Sequence, residues 1–468
     1  MLFNSLRTSV MKHGSHLVFG EITYSQFFTK VLRYTYCLNS LGIKKSDRVL
    51  SISYNSPEMA ALNFATQGLG AIFVPLFPKQ NLEYYEQVYD DCKPKLFVVN
   101  SEKTNEDNII GDFTFDNLES NTNELIPNDN CLSDDIATLL YTSGTSGKPK
   151  GVKLTHNNIY SNICGIPPMI NPGDKTISFL PWSHSFGYTC ELNYMIHCGG
   201  QMIINKNIKD IHSDFQTFQP DYLFSVPQLL TTIQQKCENL PLYKKMFLTK
   251  QHIFGQNLKA IAVAGASCPI STLKFIQNLG VSVYQGYGLT ETSPLVTLNL
   301  NQSIPHSVGK SIKGVEVSLA DDNEIIVSGS NVMKGYWGMP NIQQPFYTND
   351  YGKFDENGNL YISGRKSDIF KLLNGKFVNP VPIETKIKEN FPKVEQVCLI
   401  GENLKNTILL IYPKNSVSLE DIIKLTIFKE YEKPNKIVYL TKPFNIEDGT
   451  LTKKYSLRRS VIQKLNKE

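Results

Sequence analysis

Between residues 24 and 99 the chain alternates helical and strand spacing, and that alternation restricts the fold more than any other feature. Apolar residues at Phe27, Phe28, Val31, Leu32, Tyr34 and Leu38 recur at helical intervals, and Gly42 suits a helix C-cap. Val49–Ile52 then reads as a strand, Pro57–Leu69 as a helix closed by Gly70, and Ala71–Val74 and Leu96–Val99 as further strands. Strands interleaved with helices predict a largely parallel sheet covered on both faces. A chain of 468 residues exceeds one ordinary core, so two or more domains are expected. The pattern changes after Arg365. A short basic segment, residues 365–368 (RKSD), leads to Phe370–Leu373 and the turn Asn374–Gly375. The expected architecture is α/β. A large N-terminal domain of parallel and mixed sheets layered with helices spans residues 1–366. A small mobile α+β domain spans 367–468, with a hinge at the junction.

Composition excludes several classes. Hydrophobic residues at 41% and charged residues at 19% describe a soluble globular protein, and a net charge of +4 gives no argument for nucleic acid. No apolar run reaches membrane-span length, and the N-terminus lacks a signal-peptide core, so a cytoplasmic location is expected. Peripheral membrane contact stays open, although no amphipathic anchor stands out. Nine scattered cysteines with no Cys-x-x-Cys pair fit reduced thiols better than disulfides or zinc.

Tyr141–Gly151 (YTSGTSGKPKG) lies between two strand-like runs, Ile136–Leu140 and Val152–Leu154. Thr142, Ser143, Thr145 and Ser146 supply hydroxyls, Gly144 and Gly147 let backbone approach a ligand, and Lys148 and Lys150 supply charge. Such a loop suits the β- and γ-phosphates of a nucleotide. It is not the common P-loop, in which Gly-Lys-Ser/Thr opens a helix; here Pro149 biases Lys148 toward extended backbone. A polar hairpin is the plain alternative. A second string, Tyr284–Pro294 (YQGYGLTETSP), follows the short strand Val281–Tyr284. Gly286 and Gly288 leave a gap beside Tyr287, whose ring face can stack on a purine. Thr290 offers a hydroxyl to a phosphoryl oxygen, and Glu291 a carboxylate for Mg²⁺. A third string runs Tyr347–Asp355 (YTNDYGKFD) and then Gly358–Arg365 (GNLYISGR).

Together and in this order, the strings resemble those of the AMP-forming adenylating enzymes, the ANL superfamily. The likeness extends from about residue 18 to the C-terminus and includes Leu154–Asn157 (LTHN) and Val332–Trp337 (VMKGYW). The resemblance implies a phosphate loop at Thr142–Lys148, and an adenine slot between Gln285–Gly288 and the strand end Gly265–Ala266. It also implies ribose contacts at Asp350 and Arg365. Asn349 stands where the family usually has Gly, a tolerable exchange where positive φ is needed. The implied reactants are ATP with Mg²⁺, a carboxylic acid, and coenzyme A or an acyl carrier protein as thiol acceptor. Amino-acid-activating relatives place an Asp near Phe179–Tyr188 (FLPWSHSFGY), which has no carboxylate here. Trp182, Phe186 and Gly187 suit an apolar acyl tail, with His184 beside the reacting carboxylate. The string looks most like fatty-acyl ligases, including the nearby Cys190-Glu-Leu. One departure concerns the family's C-terminal lysine, which bridges carboxylate and α-phosphate. Ser456 occupies its place, and Lys454 would share a face with Ser456 in an extended segment, with Lys453 on the other. Two further readings stay open: a carrier-protein ligase, and a catalytically weak acyl-AMP or nucleotide binder. No Gly-x-Ser-x-Gly elbow supports a hydrolase.

Overall fold

A computed structural model describes residues 1–99, 113–127, 131–143, 148–241, 243, 248–391, 393–413, 417–425, 428–445, 447–451 and 457–466. The helix at the start of the alternating region runs Tyr24–Ser40. Its first turn is locked by a reciprocal cap: Gln26 N–H donates to Thr23 Oγ1 (3.2 Å) and Thr23 N–H to Gln26 Oε1 (2.9 Å). Gly42 takes φ +75°, as its place beyond the helix requires. The next helix, Pro57–Gly68, starts with proline at its first turn and with Ser56 Oγ accepting from Met59 N–H at 3.1 Å. All residues from Met59 to Gly68 are buried, so this helix runs through the core.

Two large sheets carry the fold. In one, seven strands lie in the order Gly335–Tyr336, Pro149–Thr155, Ile136–Ser143, Ile72–Leu76, Arg48–Ile52, Leu96–Val99 and Phe113–Thr114. Its middle is parallel, and the two strands at the Gly335 end are antiparallel additions. The other has nine strands. Ser282–Gly288, Ala260–Val263, Tyr222–Ser225, Lys175–Ser178, Gln201–Ile204 and Leu17–Phe19 form its parallel run, with antiparallel strands at both edges. One hydrophobic cluster draws on both sheets and on the helices Tyr24–Ser40 and Pro57–Gly68. A four-stranded antiparallel sheet follows: Val315–Leu319, Glu324–Gly329, Phe346–Phe354 and Leu360–Arg365.

From Phe370 the chain builds a ribbon, Phe370–Lys371 with Phe377–Val378, and a three-stranded mixed sheet, Gln396–Ile400, Thr407–Tyr412 and Pro434–Tyr439. Two hydrophobic clusters are drawn only from residues between Phe370 and Ile462. The architecture is therefore α/β with a large N-terminal part and a smaller C-terminal one. Two local readings change. Residues 115–119 form a short helix that the spacing did not announce, and the strand read as Val281–Tyr284 continues to Gly288. Among the described residues no helix is long and apolar enough to cross a membrane. All nine cysteines are free.

Candidate active site

Ligands of open α/β sheets sit outside the carboxyl ends of the parallel strands. The strings that follow Ile136–Ser143, Ser282–Gly288 and Lys175–Ser178 emerge there, whereas Tyr347–Arg365 lies on the antiparallel sheet. The strands Ile136–Ser143 and Pro149–Thr155 pair antiparallel, with Thr142 opposite Lys150 and Ser143 opposite Pro149. The strands on either side of the hydroxyl-rich string therefore pair as the two arms of a hairpin. Gly144, Thr145, Ser146 and Gly147 lie outside the described residues. Lys148 is exposed, and Lys150 Nζ stands 5.3 Å from the centre of the Tyr336 ring.

Strand Ser282–Gly288 neighbours Ala260–Val263, placing Tyr287 near the exposed Gly265–Ala266 end, where Gly265 has φ +90°. The Tyr287 hydroxyl donates to Asp350 Oδ2 at 2.9 Å, and Arg365 Nε lies 3.1 Å from Asp350 Oδ1. Asp350 is only 3% exposed. Burial raises its pKa, while Arg365 and the Tyr287 hydroxyl act in the opposite sense. Asn349, with φ +58°, turns the chain just before it, so the Asn-for-Gly exchange holds the expected backbone.

Two features of this string differ from the reading above. A Cβ on Gly286 would come within 2.7 Å of Leu295 Cδ1, and one on Gly288 within 1.7 Å of the Pro294 carbonyl oxygen. These glycines admit the returning strand Leu295–Asn299, in place of the ring-sized gap that sequence suggested. Gln285 Nε2 donates to Pro305 O at 2.6 Å, which ties that amide to a loop.

The 3₁₀ turn Thr290–Thr292 carries the next two groups. Thr290 Oγ1 lies 3.2 Å from Ser185 Oγ, both buried, joining the nucleotide string to the acyl string. Glu291 Oε1 accepts from the Tyr336 hydroxyl at 2.9 Å, and its carbonyl accepts from Met333 N–H at 2.8 Å. Among the described residues no group of three or more His, Cys, Asp or Glu could hold a metal by itself. The carboxylate of Glu291 suits Mg²⁺, which takes one or two protein carboxylates and completes its shell with phosphate oxygens and water.

On the acid side, His184 is exposed and Phe186 is half-buried, its ring 6.2 Å from that of Phe224. A Cβ on Gly187 would sit 2.6 Å from the Pro181 carbonyl oxygen, so this glycine closes the turn against its own backbone. Trp182 requires a correction. It has no accessible surface, packs 5.8 Å from the Phe19 ring and donates Nε1–H to Glu191 Oε2 at 3.0 Å. It belongs to the core, and not to an open acyl wall. Glu191, which sequence gave only as part of Cys190-Glu-Leu and without a role, is fully buried, and burial pushes its carboxyl up to about 8 against hydrogen bonds from Ser178 and Trp182. The available signal was a lone Glu inside the apolar run Tyr188–Ile196.

Lys453, Lys454 and Ser456 lie outside the described residues. Leu451 and Leu457, on either side of them, pair antiparallel. The reading that sets Lys454 on the face of Ser456 falls outside the described residues.

The sequence model of the AMP-binding enzyme family matches residues 8–337, and that of the AMP-binding enzyme C-terminal domain matches 367–437. The chain belongs to the AMP-binding enzyme family, within the ANL superfamily. Relatives of this AMP-binding enzyme include a long-chain-fatty-acid–CoA ligase of Mycobacterium bovis. It is 26% identical, over 82% of this chain and 76% of its own length. A chloroplastic long-chain-fatty-acid–[acyl-carrier-protein] ligase of Arabidopsis thaliana is 24% identical over 99% of this chain and 85% of its own. The fold matches O-succinylbenzoate coenzyme A synthetase of Bacillus subtilis, solved in complex with AMP. The TM-score is 0.81 at 23% identity, over 98% of this chain and 97% of that one.

Proposed function

We propose that this AMP-binding enzyme is an ATP-dependent, AMP-forming ligase. It activates a carboxylic acid, of the fatty-acyl type, as acyl-AMP and passes the acyl group to the thiol of coenzyme A. The Ser185–Thr290 contact carries this reading, because it sets the apolar acid-side string against the hydroxyl suited to a phosphoryl oxygen.

In the first half-reaction a carboxylate oxygen attacks the α-phosphorus, the bond to the bridging oxygen of the β-phosphate breaks, and pyrophosphate leaves. In the second, a thiolate sulfur attacks the acyl carbonyl carbon and AMP leaves. The chain's task is placement and charge neutralisation. Tyr287 stacks on adenine opposite Gly265 and Ala266, while Asp350 and Arg365 take the ribose hydroxyls. Thr142–Lys148 receives the outer phosphates, and Thr290 the phosphoryl oxygen. Glu291 holds Mg²⁺, which supplies charge neutralisation when bound. His184 and Phe186 face the acid, and Lys454 approaches as the cation between carboxylate and phosphate. On this reading residues 1–366 hold the ATP and acyl sites, and residues 367–468 turn between half-reactions.

Pyrophosphate release with a panel of straight-chain, aryl and dicarboxylic acids tests the activity; no release with any acid removes it. Coenzyme A against phosphopantetheinylated carrier protein then tests the acceptor. Carrier-protein transfer is the second reading, favoured by a carrier-protein ligase relative that aligns over 99% of this chain. Preference for a succinylbenzoate-type acid would displace the fatty-acyl assignment, since ligases of that acid are also relatives, at 27% identity over 81% of this chain.

A further inference from the structure

Glu191 has no part in the chemistry above, yet it lies fully buried beside the acid-side string, on the π-helical stretch Phe186–Asn193. A carboxyl is unfavourable to bury unless partners hold it. Oε2 accepts from Ser178 Oγ at 2.7 Å and from Trp182 Nε1 at 3.0 Å; Oε1 has no partner among the described residues. The two donors bracket the segment that leads into His184.

The same segment is held from the other large sheet by Asn55, which follows strand Arg48–Ile52. Its Oδ1 accepts from the Trp182 backbone N–H at 2.9 Å, and its Nδ2 donates to Leu180 O at 2.7 Å and to Ser178 Oγ at 3.2 Å. Within the turn itself, His184 N–H donates to Pro181 O at 3.0 Å and Tyr188 N–H to His184 O at 2.8 Å. Trp182 is thus gripped at its backbone by one sheet and at its indole by Glu191, with no free surface into which to move. Displacing Glu191 would shift the turn that presents His184, Ser185 and Phe186, while Tyr287, Asp350 and Arg365 are held by other contacts.

We propose that Glu191, acting with Asn55, is a positioning residue that fixes the His184–Phe186 turn for the acid's carboxylate and governs acyl-AMP formation without affecting nucleotide binding. The inference rests on the ligase reading of this site. The neutral form of Glu191 favoured by burial fits such a clamp, which presents no charge to an incoming carboxylate.

The test compares Glu191→Leu, which keeps the bulk and removes both acceptors, with Glu191→Gln, which retains an acceptor oxygen. Acid-dependent pyrophosphate release, KM for acid, KM for ATP and Tm are measured on each. Glu191→Leu is expected to lose roughly 10²-fold in kcat/KM for acid, as a misplacement of about 1 Å does, with KM for ATP unchanged. Glu191→Gln recovers most of that loss. Should Glu191→Leu not fold, Asn55→Ser and Ser178→Ala each remove tethers and are read the same way. Parental kinetics in Glu191→Leu, or in both tether variants, overturns the proposal. A loss that weakens ATP and acid alike, without recovery in Glu191→Gln, marks a core defect and also overturns it. A parent inert with every acid overturns the ligase reading instead, and this inference with it.

Discussion

Asp350 and Glu191 are two buried carboxyls in one site, and their surroundings treat them in opposite ways. Asp350 faces a guanidinium 3.1 Å away and a phenolic hydroxyl at 2.9 Å. Arg365 is itself 60% exposed, so water and salt screen much of its pull, and burial still raises the Asp350 pKa. Glu191 has only neutral donors, no accessible surface and a pKa near 8. The side proposed for the nucleotide therefore pairs its carboxyl with a partly exposed cation. The acid side keeps its carboxyl neutral and uses it to hold a turn in place. On the readings proposed above, a buried acid serves a ligand contact in the first setting and a structural grip in the second.

The largest expected effects test whether the two sides separate. Glu291→Gln should lower kcat for pyrophosphate release by about 10²–10³ and leave KM for the acid untouched. Near-normal release at saturating Mg²⁺ would take Glu291 out of the site, and a parallel rise in KM for the acid would merge the two sides. Lys454→Ala should slow acyl-AMP formation by roughly 10² while thioester formation from supplied acyl-AMP persists. If Lys453→Ala proves the more damaging change, the role belongs to that neighbour. Phe186→Ala should change discrimination between short and long straight-chain acids by about 1–3 kcal/mol, leaving KM for ATP as it was. An unchanged ranking of acids would place the acyl pocket elsewhere.

A separate effect concerns stability. Glu191 has an ordinary carboxyl pKa of 4.5 when unfolded and about 8 when folded. The folded state thus binds the proton more tightly. Its contribution is fully present below the unfolded pKa and is lost as pH rises through the folded value. The slope between these values is at most ~1.4 kcal/mol per pH unit. Urea unfolding across that range should show the parent losing stability more steeply than Glu191→Gln. Equal slopes would mean that Glu191 is ionised in the fold.

Much of this was legible along the chain, and the omissions share one cause. Helices Tyr24–Ser40 and Pro57–Gly68 and strands Arg48–Ile52 and Leu96–Val99 follow from local spacing and caps, which short windows contain. Tyr287, Asp350 and Arg365 come from separate strings, yet the fold joins them directly. What sequence could not give was direction. Nothing in Phe179–Tyr188 says that Trp182 turns into the core while His184 turns out, because that depends on Phe19 and Glu191. The reason for Gly288 is the Pro294 carbonyl on a returning strand, and not a ligand gap. The Lys454 face argument concerns residues outside those described, and the Lys454→Ala and Lys453→Ala variants decide it.

A swinging arm needs a fixed pin, and Lys366 has the attachments of one. Its ammonium reaches Asp322 at 2.9 Å and Glu324 at 2.8 Å. The other oxygen of Glu324 accepts from the Asn349 N–H at 2.8 Å, on the turn that presents Asp350. Arg365 closes the ring by reaching Asp350 from the residue next to Lys366. With the division proposed at 366/367, a rotation of residues 367–468 would meet this ring before it met the proposed ribose contacts. The swing would start beyond Lys366, and the ribose grip would stay still while the remainder of the chain turns. Cutting the pin with Lys366→Ala would lengthen the free arm by a residue and let each swing tug on the turn that holds the nucleotide.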